Sequence, residues 1–166
     1  KNMKLLADAK NVKVSDLSAC VLKRPRHKEV INILEKMNVK INFITDGDIA
    51  GVLSVIGKNA KNDIYYSTGG GPEGVLAAAA LSCYDGQIQG RLVLNEEEKI
   101  RAKKLGIKDF RKKYNIEDMI KGDVIFCATG VTSGDLAEGV KDLGNEYEVT
   151  TFALHKSKKI NKIVTN

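Results

Sequence analysis

Short apolar runs alternate with longer amphipathic segments along most of this 166-residue chain. Such alternation is typical of strands followed by helices, because a buried parallel strand is apolar on both faces whereas a surface helix is apolar on one. It predicts an α/β fold with a mixed, largely parallel sheet. In such a sheet the turns that follow the strands gather at one edge, where ligands usually bind.

Three strand, turn and helix units are predicted in the first half of the chain. The strands are predicted at residues 17–22, 39–45 and 63–68. The first helix is indicated by four apolar residues at helical spacing, namely Val30, Ile31, Leu34 and Met37. The second is predicted as a helix of about ten residues that ends near Gly57, and the third opens at Pro72 and continues through Ala80.

The second half of the chain is less regular. It predicts a strand at residues 87–94, a charged surface helix at 96–105 and a buried strand at 123–128. Residues 148–164 are predicted to form a hairpin around 156–159 that adds antiparallel strands to the sheet. Neither an internal repeat nor a linker is visible, so residues 1–166 are predicted to form a single α/β domain.

Composition excludes several classes of protein. Hydrophobic residues at 43% and charged residues at 29% are typical of a globular domain and argue against disorder. No apolar run approaches the roughly 20 residues that cross a bilayer, which predicts a cytoplasmic protein without a membrane partner. Cys20, Cys83 and Cys127 each lie alone in an apolar stretch, so we expect small buried side chains rather than metal ligands or disulfides.

The net charge of +6 raises the question of a nucleic-acid partner. The lysines are spread along the chain, and aromatic residues are only 5% of it and are not interleaved with the basic clusters. Base-stacking surfaces combine clustered basic residues with aromatic residues placed among them. We therefore expect no nucleic-acid partner and a preference for small anionic substrates.

The first candidate site is Arg24-Pro25-Arg26-His27. Pro25 favours an extended Arg24, and residues two apart in extended backbone project to the same side, so two guanidinium groups can grip one phosphate. The alternative is two solvated arginines at the start of a helix. Cations are unfavourable at a helix N-terminus, which favours a bound anion.

The second candidate is Asp46-Gly47-Asp48, directly after a predicted strand. The same spacing places two carboxylates on one side of a tight turn, where they accept hydrogen bonds from sugar hydroxyls or bind a hard cation. The alternative is that Asp46 or Asp48 caps the following helix.

The third candidate is the segment at residues 69–74, which contains four glycines, Pro72 and Glu73. Glycines let backbone amides approach a ligand closely, and the helix N-terminus that follows favours phosphate. Glu73 either complements the helix dipole or, beside a bound phosphate, requires a divalent cation between the two negative groups. The segment is not a Walker motif, because no Lys-Ser/Thr follows the glycines.

Five motifs in order resemble those of one known family, and together they span nearly the whole chain. They are Arg24-Pro25-Arg26-His27, Asp46-Gly47-Asp48, residues 69–74 with the alanine-rich segment after them, Gly90-Arg91-Leu92, and residues 123–135 (DVIFCATGVTSGD). The family is the class II fructose-1,6-bisphosphatases of bacteria and related organisms.

This resemblance implies hydrolysis of the 1-phosphate of fructose 1,6-bisphosphate to fructose 6-phosphate in gluconeogenesis, with Mg²⁺ or Mn²⁺. Some members also accept sedoheptulose 1,7-bisphosphate. The implied fold is the layered α/β sandwich of the lithium-sensitive sugar and inositol phosphatase superfamily, assembled as dimers or tetramers. The implied site residues are Arg24, Pro25 and Arg26 at the distal phosphate, Asp46, Gly47 and Asp48 at the sugar, Gly70 at the substrate through its backbone, and Glu73 at the metal.

The chain departs from the family pattern in two ways. Lys23 stands where an acidic residue is common and Arg24 where lysine is common, which retunes affinity for the distal phosphate. Family members also have an N-terminal part that carries the other metal ligands and the catalytic residues. We therefore expect this chain to be the C-terminal, substrate-binding part and to be inactive alone. The alternatives are an inositol monophosphatase-like hydrolase and a non-catalytic phosphosugar-binding domain.

Overall fold

The first half of the chain forms a parallel sheet of three strands. The computed structural model describes residues 1–57, 60–134 and 136–165. Strand β1 (Ser18–Leu22) lies between β2 (Lys40–Ile44) and β3 (Ile64–Tyr66), and both pairings are parallel. Four of the five residues of β1 are buried, as expected for a central strand covered on both faces. The three strand predictions are confirmed.

Two helices cover one face of this sheet. Helix α1 (Asn2–Lys10) precedes β1, and α2 (Lys28–Lys36) follows it through the 3₁₀ turn Pro25–His27. Leu34 of α2 is buried in the same apolar cluster as Ala19 and Val21 of β1. Val30, Ile31 and Met37 pack against that cluster, so the helical spacing predicted this contact surface correctly.

Helices α3 (Asp48–Leu53) and α4 (Gly71–Ser82) lie on the other face. Helix α3 is shorter than predicted and ends at Leu53 rather than near Gly57. The hydrogen bonds change at Ser54: its hydroxyl donates to the carbonyl of Gly51 at 2.6 Å, and the amides of Val55 and Ile56 bond carbonyls three residues back, at 3.4 and 3.3 Å. Because a side chain occupies the carbonyl that the Val55 amide would bond in an α-helix, the ladder of bonds four residues back stops here.

A second, antiparallel sheet packs on the far side of α4. Its strands are β4 (Ile125–Thr129), β7 (Thr150–His155) and β8 (Ile160–Thr165), and a separate short hairpin consists of β5 (Lys141–Asp142) and β6 (Tyr147–Glu148). Phe126, Phe152 and Leu154 form one apolar cluster with Ala80 and Cys83 at the end of α4. The predicted C-terminal hairpin is confirmed, but it belongs to this second sheet and not to the parallel one.

Helix α4 therefore lies between the two sheets. Its residues Ala77 and Leu81 pack with Val52 of α3, whereas Ala80 packs against the antiparallel sheet. A helix with neighbours on two sides is expected to be apolar on both, as Ala77, Ala80 and Leu81 are, whereas Val75 and Leu76 near its start are exposed. The result is a layered, mixed α/β arrangement of α1 and α2, the parallel sheet, α3 and α4, and the antiparallel sheet.

The strand predicted at residues 87–94 is absent from the described structure. Side-chain exposure does alternate along this segment, but Gly90 forms the only bridge, to Tyr114, through hydrogen bonds of 2.9 and 2.8 Å. Alternation predicted the facing of the side chains correctly, yet a strand also requires a partner backbone along its length. The helix predicted at 96–105 is confirmed as α5 (Glu96–Lys104), with Asn95 as its cap. A short helix, α6 (Ile116–Met119), follows.

Two further predictions for β4 were wrong. The strand is buried on one face only, with Phe126 buried and Ile125 exposed. Cys127 is exposed for the same reason, whereas Cys20 and Cys83 are buried as predicted. Asp135, at the end of the fifth motif, lies outside the described residues. Across the described chain, none of the helices has the length and apolarity needed to span a bilayer.

Candidate functional site

Three loops meet at the carboxyl edge of the parallel sheet. The arginine corner (residues 24–27) follows β1, the aspartate turn (46–48) follows β2, and the glycine loop (67–71) follows β3. Parallel strands bring such loops to the same edge. In the structure the glycine loop is contacted from both of the other two, so the three candidate segments lie together.

The arginine corner contacts the glycine loop at Thr68. Nε of Arg26 donates to the Thr68 carbonyl at 2.5 Å, and the Thr68 amide donates to Nε2 of His27 at 2.8 Å. His27 is almost fully buried and its Nδ1 lies 2.6 Å from the carbonyl oxygen of Leu22. Both backbone polar groups of Thr68 are thus held by two consecutive residues of the arginine corner.

The aspartate turn contacts the same loop through Asp48. Oδ1 of Asp48 accepts hydrogen bonds from the hydroxyls of Tyr65 and of Ser67, the latter at 3.2 Å. Burial of the Tyr65 phenol and its hydrogen bond to Asp48 raise the Tyr65 pKa well above the usual 10.0. The Tyr65 hydroxyl therefore stays a hydrogen-bond donor at neutral pH.

The alternative that an aspartate caps the following helix was wrong. The residue at the N-cap of α3 is Gly47, in the left-handed conformation with φ 83°, and no side chain caps the helix. Asp48 is the first residue of the helix, and its carboxylate is directed toward the glycine loop instead. Asp46 is exposed beside it.

Two carboxylates lie against consecutive glycines of the loop. A Cβ atom on Gly69 would meet Oδ2 of Asp48 at 3.4 Å, and one on Gly70 would overlap Oε2 of Glu73. Glycine is therefore required at 70 for the carboxylate of Glu73 to lie where it does. Glu73 is in the first turn of α4, whose N-cap is Gly70. The carboxylate thus lies near the free amide groups of a helix N-terminus, which is where the sequence predicted it.

The donor set suits a hard cation only in part. Glu73 is exposed and forms no hydrogen bond or ion pair with the described residues, so its oxygens are free to bind Mg²⁺ or Mn²⁺, which prefer oxygen ligands. In the described part of the chain, no group of three His, Cys, Asp or Glu side chains is arranged to hold a metal. Glu73 would thus serve as one ligand, and the described residues do not complete a metal centre.

The two arginines are not arranged as the alternation argument supposed. Arg24 is extended, with φ −138° and ψ 150°, but Arg26 lies within the 3₁₀ turn that starts at Pro25. The rule for residues two apart therefore does not apply to this pair. Arg24 directs Nη1 to the carbonyl of Lys23 at 3.2 Å, and Arg26 uses Nε on Thr68. Neither terminal nitrogen of Arg26 bonds a described residue, so both remain for an anion.

Sequence reasoning missed four residues that hold the site together, namely His27, Tyr65, Ser67 and Thr68. His27 was part of a quoted motif but received no function. A signal for two of the others was present, because Tyr65 and Ser67 are two apart at the end of a strand and so face the same side. Their hydroxyls converge on Asp48.

A second cluster, on the antiparallel sheet, contains Asp123, His155 and Ser157. Oγ of Ser157 and Nε2 of His155 both contact Oδ2 of Asp123, at 2.6 and 2.8 Å, and the Ser157 amide donates to Oδ1 at 3.0 Å. In a hydrolytic triad the imidazole stands between serine and aspartate and uses a different nitrogen for each. Here serine bonds aspartate directly and the same ring nitrogen, Nε2, contacts both, so the cluster ties the segment before β4 to the β7–β8 turn rather than forming a nucleophile.

Comparison with known proteins decides the family. The model of the family described as bacterial fructose-1,6-bisphosphatase, glpX-encoded, matches residues 1–166. The chain belongs to this family of fructose-1,6-bisphosphatases. The resemblance drawn from the five motifs is thereby confirmed.

Curated members of the fructose-1,6-bisphosphatase family align over nearly the whole chain. The chain is 35% identical to the class 2 fructose-1,6-bisphosphatase of Haemophilus influenzae and 34% identical to fructose-1,6-bisphosphatase 1 class 2 of Escherichia coli K12. The class 2 enzyme of Shigella flexneri is also 34% identical. Each alignment covers 98% of this chain and 53% of the relative. The chain spans about half the length of the curated relatives it matches.

Proposed function

We propose that this chain forms the sugar-bisphosphate-binding part of a metal-dependent fructose-1,6-bisphosphatase. Arg24 and Arg26 bind the distal phosphate of the sugar, and Asp46 and Asp48 bind its hydroxyls. The backbone of Gly70 contacts the substrate, and Glu73 is one ligand of Mn²⁺ or Mg²⁺ at the reacting phosphate. The reaction proposed for the whole enzyme is hydrolysis of the 1-phosphate, which yields fructose 6-phosphate.

One observation carries this proposal. Arg26 and Asp48 follow two different strands, yet both bond the glycine loop that leads to Glu73: Arg26 bonds Thr68, Asp48 bonds Ser67, and Glu73 lies against Gly70. Cationic and anionic groups therefore occupy different positions along one short stretch of backbone. A ligand that carries both phosphates and hydroxyls needs cationic and carboxylate groups within one site, and this stretch of backbone is bordered by both.

The metal belongs to the proposal for an electrostatic reason. A phosphate at the N-terminus of α4 is attracted by the free amides of the helix but repelled by the carboxylates of Glu73 and Asp48. A divalent cation would supply positive charge between the phosphate and these carboxylates and would polarise the phosphoryl oxygen. The described residues do the rest: they orient the sugar and hold its distal phosphate.

Isothermal titration calorimetry tests the binding. We expect this chain to bind fructose 1,6-bisphosphate, and to bind it more tightly with Mn²⁺ present. The substitution Arg26→Gln should weaken binding about tenfold or more, since it removes a charge-assisted bidentate contact. Arg101→Gln, on the exposed surface of α5, removes the same charge elsewhere and should leave the affinity unchanged. Equal affinities of both variants would contradict the proposed phosphate site.

A non-catalytic phosphosugar-binding domain is the second candidate. It is favoured by the absence, within the described residues, of a cluster of three metal-binding side chains. Phosphate release separates the two functions. The assay compares this chain alone with this chain joined to the N-terminal part of a family member, with and without Mn²⁺. If only the joined protein releases phosphate, and only with Mn²⁺ present, the enzyme is supported. If both proteins bind the sugar phosphate without Mn²⁺ and neither releases phosphate, the binding domain is supported.

Three further features are part of the same proposal. They are a cytoplasmic location, assembly as a dimer or tetramer, and the absence of a nucleic-acid partner. Size-exclusion chromatography with light scattering tests the assembly. Binding to DNA or RNA that weakens steeply with salt would contradict the last of the three.

A further inference from the structure

His27 occupies a junction between two parts of the site. Its ring lies between the end of β1, where Nδ1 is 2.6 Å from the Leu22 carbonyl, and the glycine loop, where Nε2 is 2.8 Å from the Thr68 amide. The side chain is 1% exposed. Each ring nitrogen therefore has one backbone partner, and both partners are held inside the protein.

The partners fix the tautomer of the ring. The Thr68 amide can only donate, so Nε2 must accept and carries no proton. The Leu22 carbonyl can only accept, so Nδ1 must carry the proton and donate. This tautomer satisfies both contacts at once, and the other one satisfies neither.

The preceding residue in the chain strengthens this junction. Arg26 donates to the carbonyl of Thr68 while His27 accepts from its amide, so the loop is held at one residue from both sides of its backbone. Gly69 and Gly70, which follow Thr68, have no side chains of their own to anchor them. Asp48 and Glu73 lie against these two glycines. The position of Thr68 thus determines where the glycine loop stands relative to the arginines.

We infer that His27 is a positioning residue that sets the spacing between the arginine corner and the glycine loop, and thereby the fit of a ligand phosphorylated at both ends. The inference rests on the proposed function, because it assigns the two ends of the ligand to these two segments. His27 itself touches neither end. It acts by holding Thr68 against Leu22.

The inference makes a specific prediction about ligands. Fructose 1,6-bisphosphate must engage both segments at once, whereas fructose 6-phosphate and fructose 1-phosphate each need only one. Loss of the spacing should therefore lower the affinity for the bisphosphate about tenfold and the affinities for the two monophosphates less than about twofold. A substitution that merely destabilises the protein would weaken all three to a similar extent.

Two substitutions separate the two hydrogen bonds of the ring. In His27→Asn the amide nitrogen stands two bonds from Cβ, as Nδ1 does, so it retains the donor to Leu22 and loses the acceptor for Thr68. In His27→Gln the amide oxygen stands three bonds from Cβ, as Nε2 does, so the acceptor for Thr68 is retained. We expect His27→Asn to lose the preference for the bisphosphate and His27→Gln to keep most of it.

The chain offers a matched control, because His155 is its one other histidine. His155 lies on the antiparallel sheet and bonds Asp123. His155→Gln should leave the affinities for all three sugar phosphates unchanged. It also simplifies the imidazole ¹⁵N spectrum to His27 alone, in which Nδ1 should be protonated and Nε2 not.

Calorimetry with the three sugar phosphates at constant Mn²⁺ is combined with amide hydrogen exchange of residues 68–71. Faster exchange in His27→Asn than in His27→Gln, together with a selective loss of bisphosphate affinity, supports the inference. Equal weakening of all three ligands, or wild-type behaviour of His27→Asn, overturns it. If the unsubstituted chain binds none of the ligands but the exchange difference persists, the proposed function fails and the positioning of the loop by His27 stands.

Discussion

The hydroxyl of Tyr65, at the centre of β3, donates a hydrogen bond to the carboxylate of Asp48 at the start of α3. Tyr65 belongs to the parallel sheet and packs against the cluster of Val52, Ala77 and Leu81. The contact therefore ties a carboxylate at the site to the core of the protein. A carboxylate that accepts hydrogen bonds from fixed donors keeps one orientation toward a ligand.

Removing this hydroxyl should weaken sugar binding and stability together. Tyr65→Phe keeps the ring and deletes the donor to Asp48. The free energy of unfolding should fall by about 1–3 kcal/mol, because the acceptor of the lost hydrogen bond is charged. We expect a several-fold loss of affinity for fructose 1,6-bisphosphate in calorimetry. Tyr66→Phe is the matched control, since Tyr66 lies next in the strand and is exposed. If both variants bind the sugar equally well, Tyr65 does not orient Asp48.

The contact between Tyr65 and Asp48 also predicts that the protein loses stability at alkaline pH. The Tyr65 pKa is raised in the folded protein above its usual 10.0, through burial and the Asp48 carboxylate. The unfolded chain therefore ionises this phenol first, and stability that is complete below about pH 10 falls as the pH rises further. Tyr65→Phe should flatten this decline in urea unfolding measured from about pH 9 to about pH 11, whereas Tyr66→Phe should retain it.

The parts of the fold that the sequence predicted correctly are those set by local pattern. The three parallel strands are short apolar runs, and α2 shows its buried side in the spacing of Val30, Ile31, Leu34 and Met37. The parts that it predicted wrongly depend on distant partners. Residues 87–94 alternate in exposure but find a partner only at Tyr114, and Cys127 is exposed because just one face of β4 is covered.

The site shows the same division. The three loops were predicted from motifs and from the rule that turns gather at one edge of a parallel sheet. The contacts between them were not, because Arg26 and His27 reach a residue 41 or 42 positions away in sequence. Hydrogen bonds of that range leave no periodic signal. The orientation of Asp48 was likewise hidden, since a capping aspartate and one turned toward Ser67 have the same local sequence.

Gly51 in α3 is predicted to be required for the packing of Tyr65. A Cβ atom there would lie 2.5 Å from the Tyr65 ring and 2.7 Å from Cδ1 of Ile44, closer than these atoms can approach. Gly51→Ala should therefore destabilise the protein by about 1–3 kcal/mol and reduce sugar affinity by displacing Tyr65 from Asp48. Urea unfolding and calorimetry measure the two effects.

A second glycine provides the control for this substitution. Gly74 lies inside α4, and a Cβ atom there would meet nothing within 4 Å. Gly74→Ala should leave stability unchanged or raise it by up to about 1 kcal/mol, because alanine is the better helix former. A destabilisation of Gly74→Ala as large as that of Gly51→Ala would mean that helix substitution itself, and not contact with Tyr65, is responsible.

Glu73 is predicted to contribute to metal binding and not only to the helix dipole. Glu73→Gln should weaken Mn²⁺ binding in the presence of fructose 1,6-bisphosphate about tenfold or more, as measured by electron paramagnetic resonance of free Mn²⁺. Glu29→Gln is matched to it, because Glu29 is the acidic residue in the first turn of α2. Both variants lose the same favourable dipole interaction. Equal Mn²⁺ affinities of the two variants would mean that Glu73 interacts with the helix dipole and does not bind the metal.

The hairpin of the antiparallel sheet is predicted to open in acid. Hydrogen bonds from Ser157 first, then from His155 and the amides of Val124 and Ser157, lower the pKa of Asp123 well below its usual 3.8. Because the folded state holds this carboxylate ionised, its contribution to stability is present above about pH 4 and is lost progressively as the pH falls below that value. Amide hydrogen exchange of β7 and β8 should increase over that range.

Asp123→Asn tests this loss of stability in acid directly. The amide cannot ionise, so the variant should be less stable than the unsubstituted chain near neutral pH and should approach it in acid, as urea unfolding at several pH values would show. Asp8→Asn, on the exposed surface of α1, removes an equal charge without disturbing the hairpin. If Asp8→Asn flattens the pH dependence as much as Asp123→Asn does, general charge repulsion and not the Asp123 hydrogen bonds governs the acid stability of this chain.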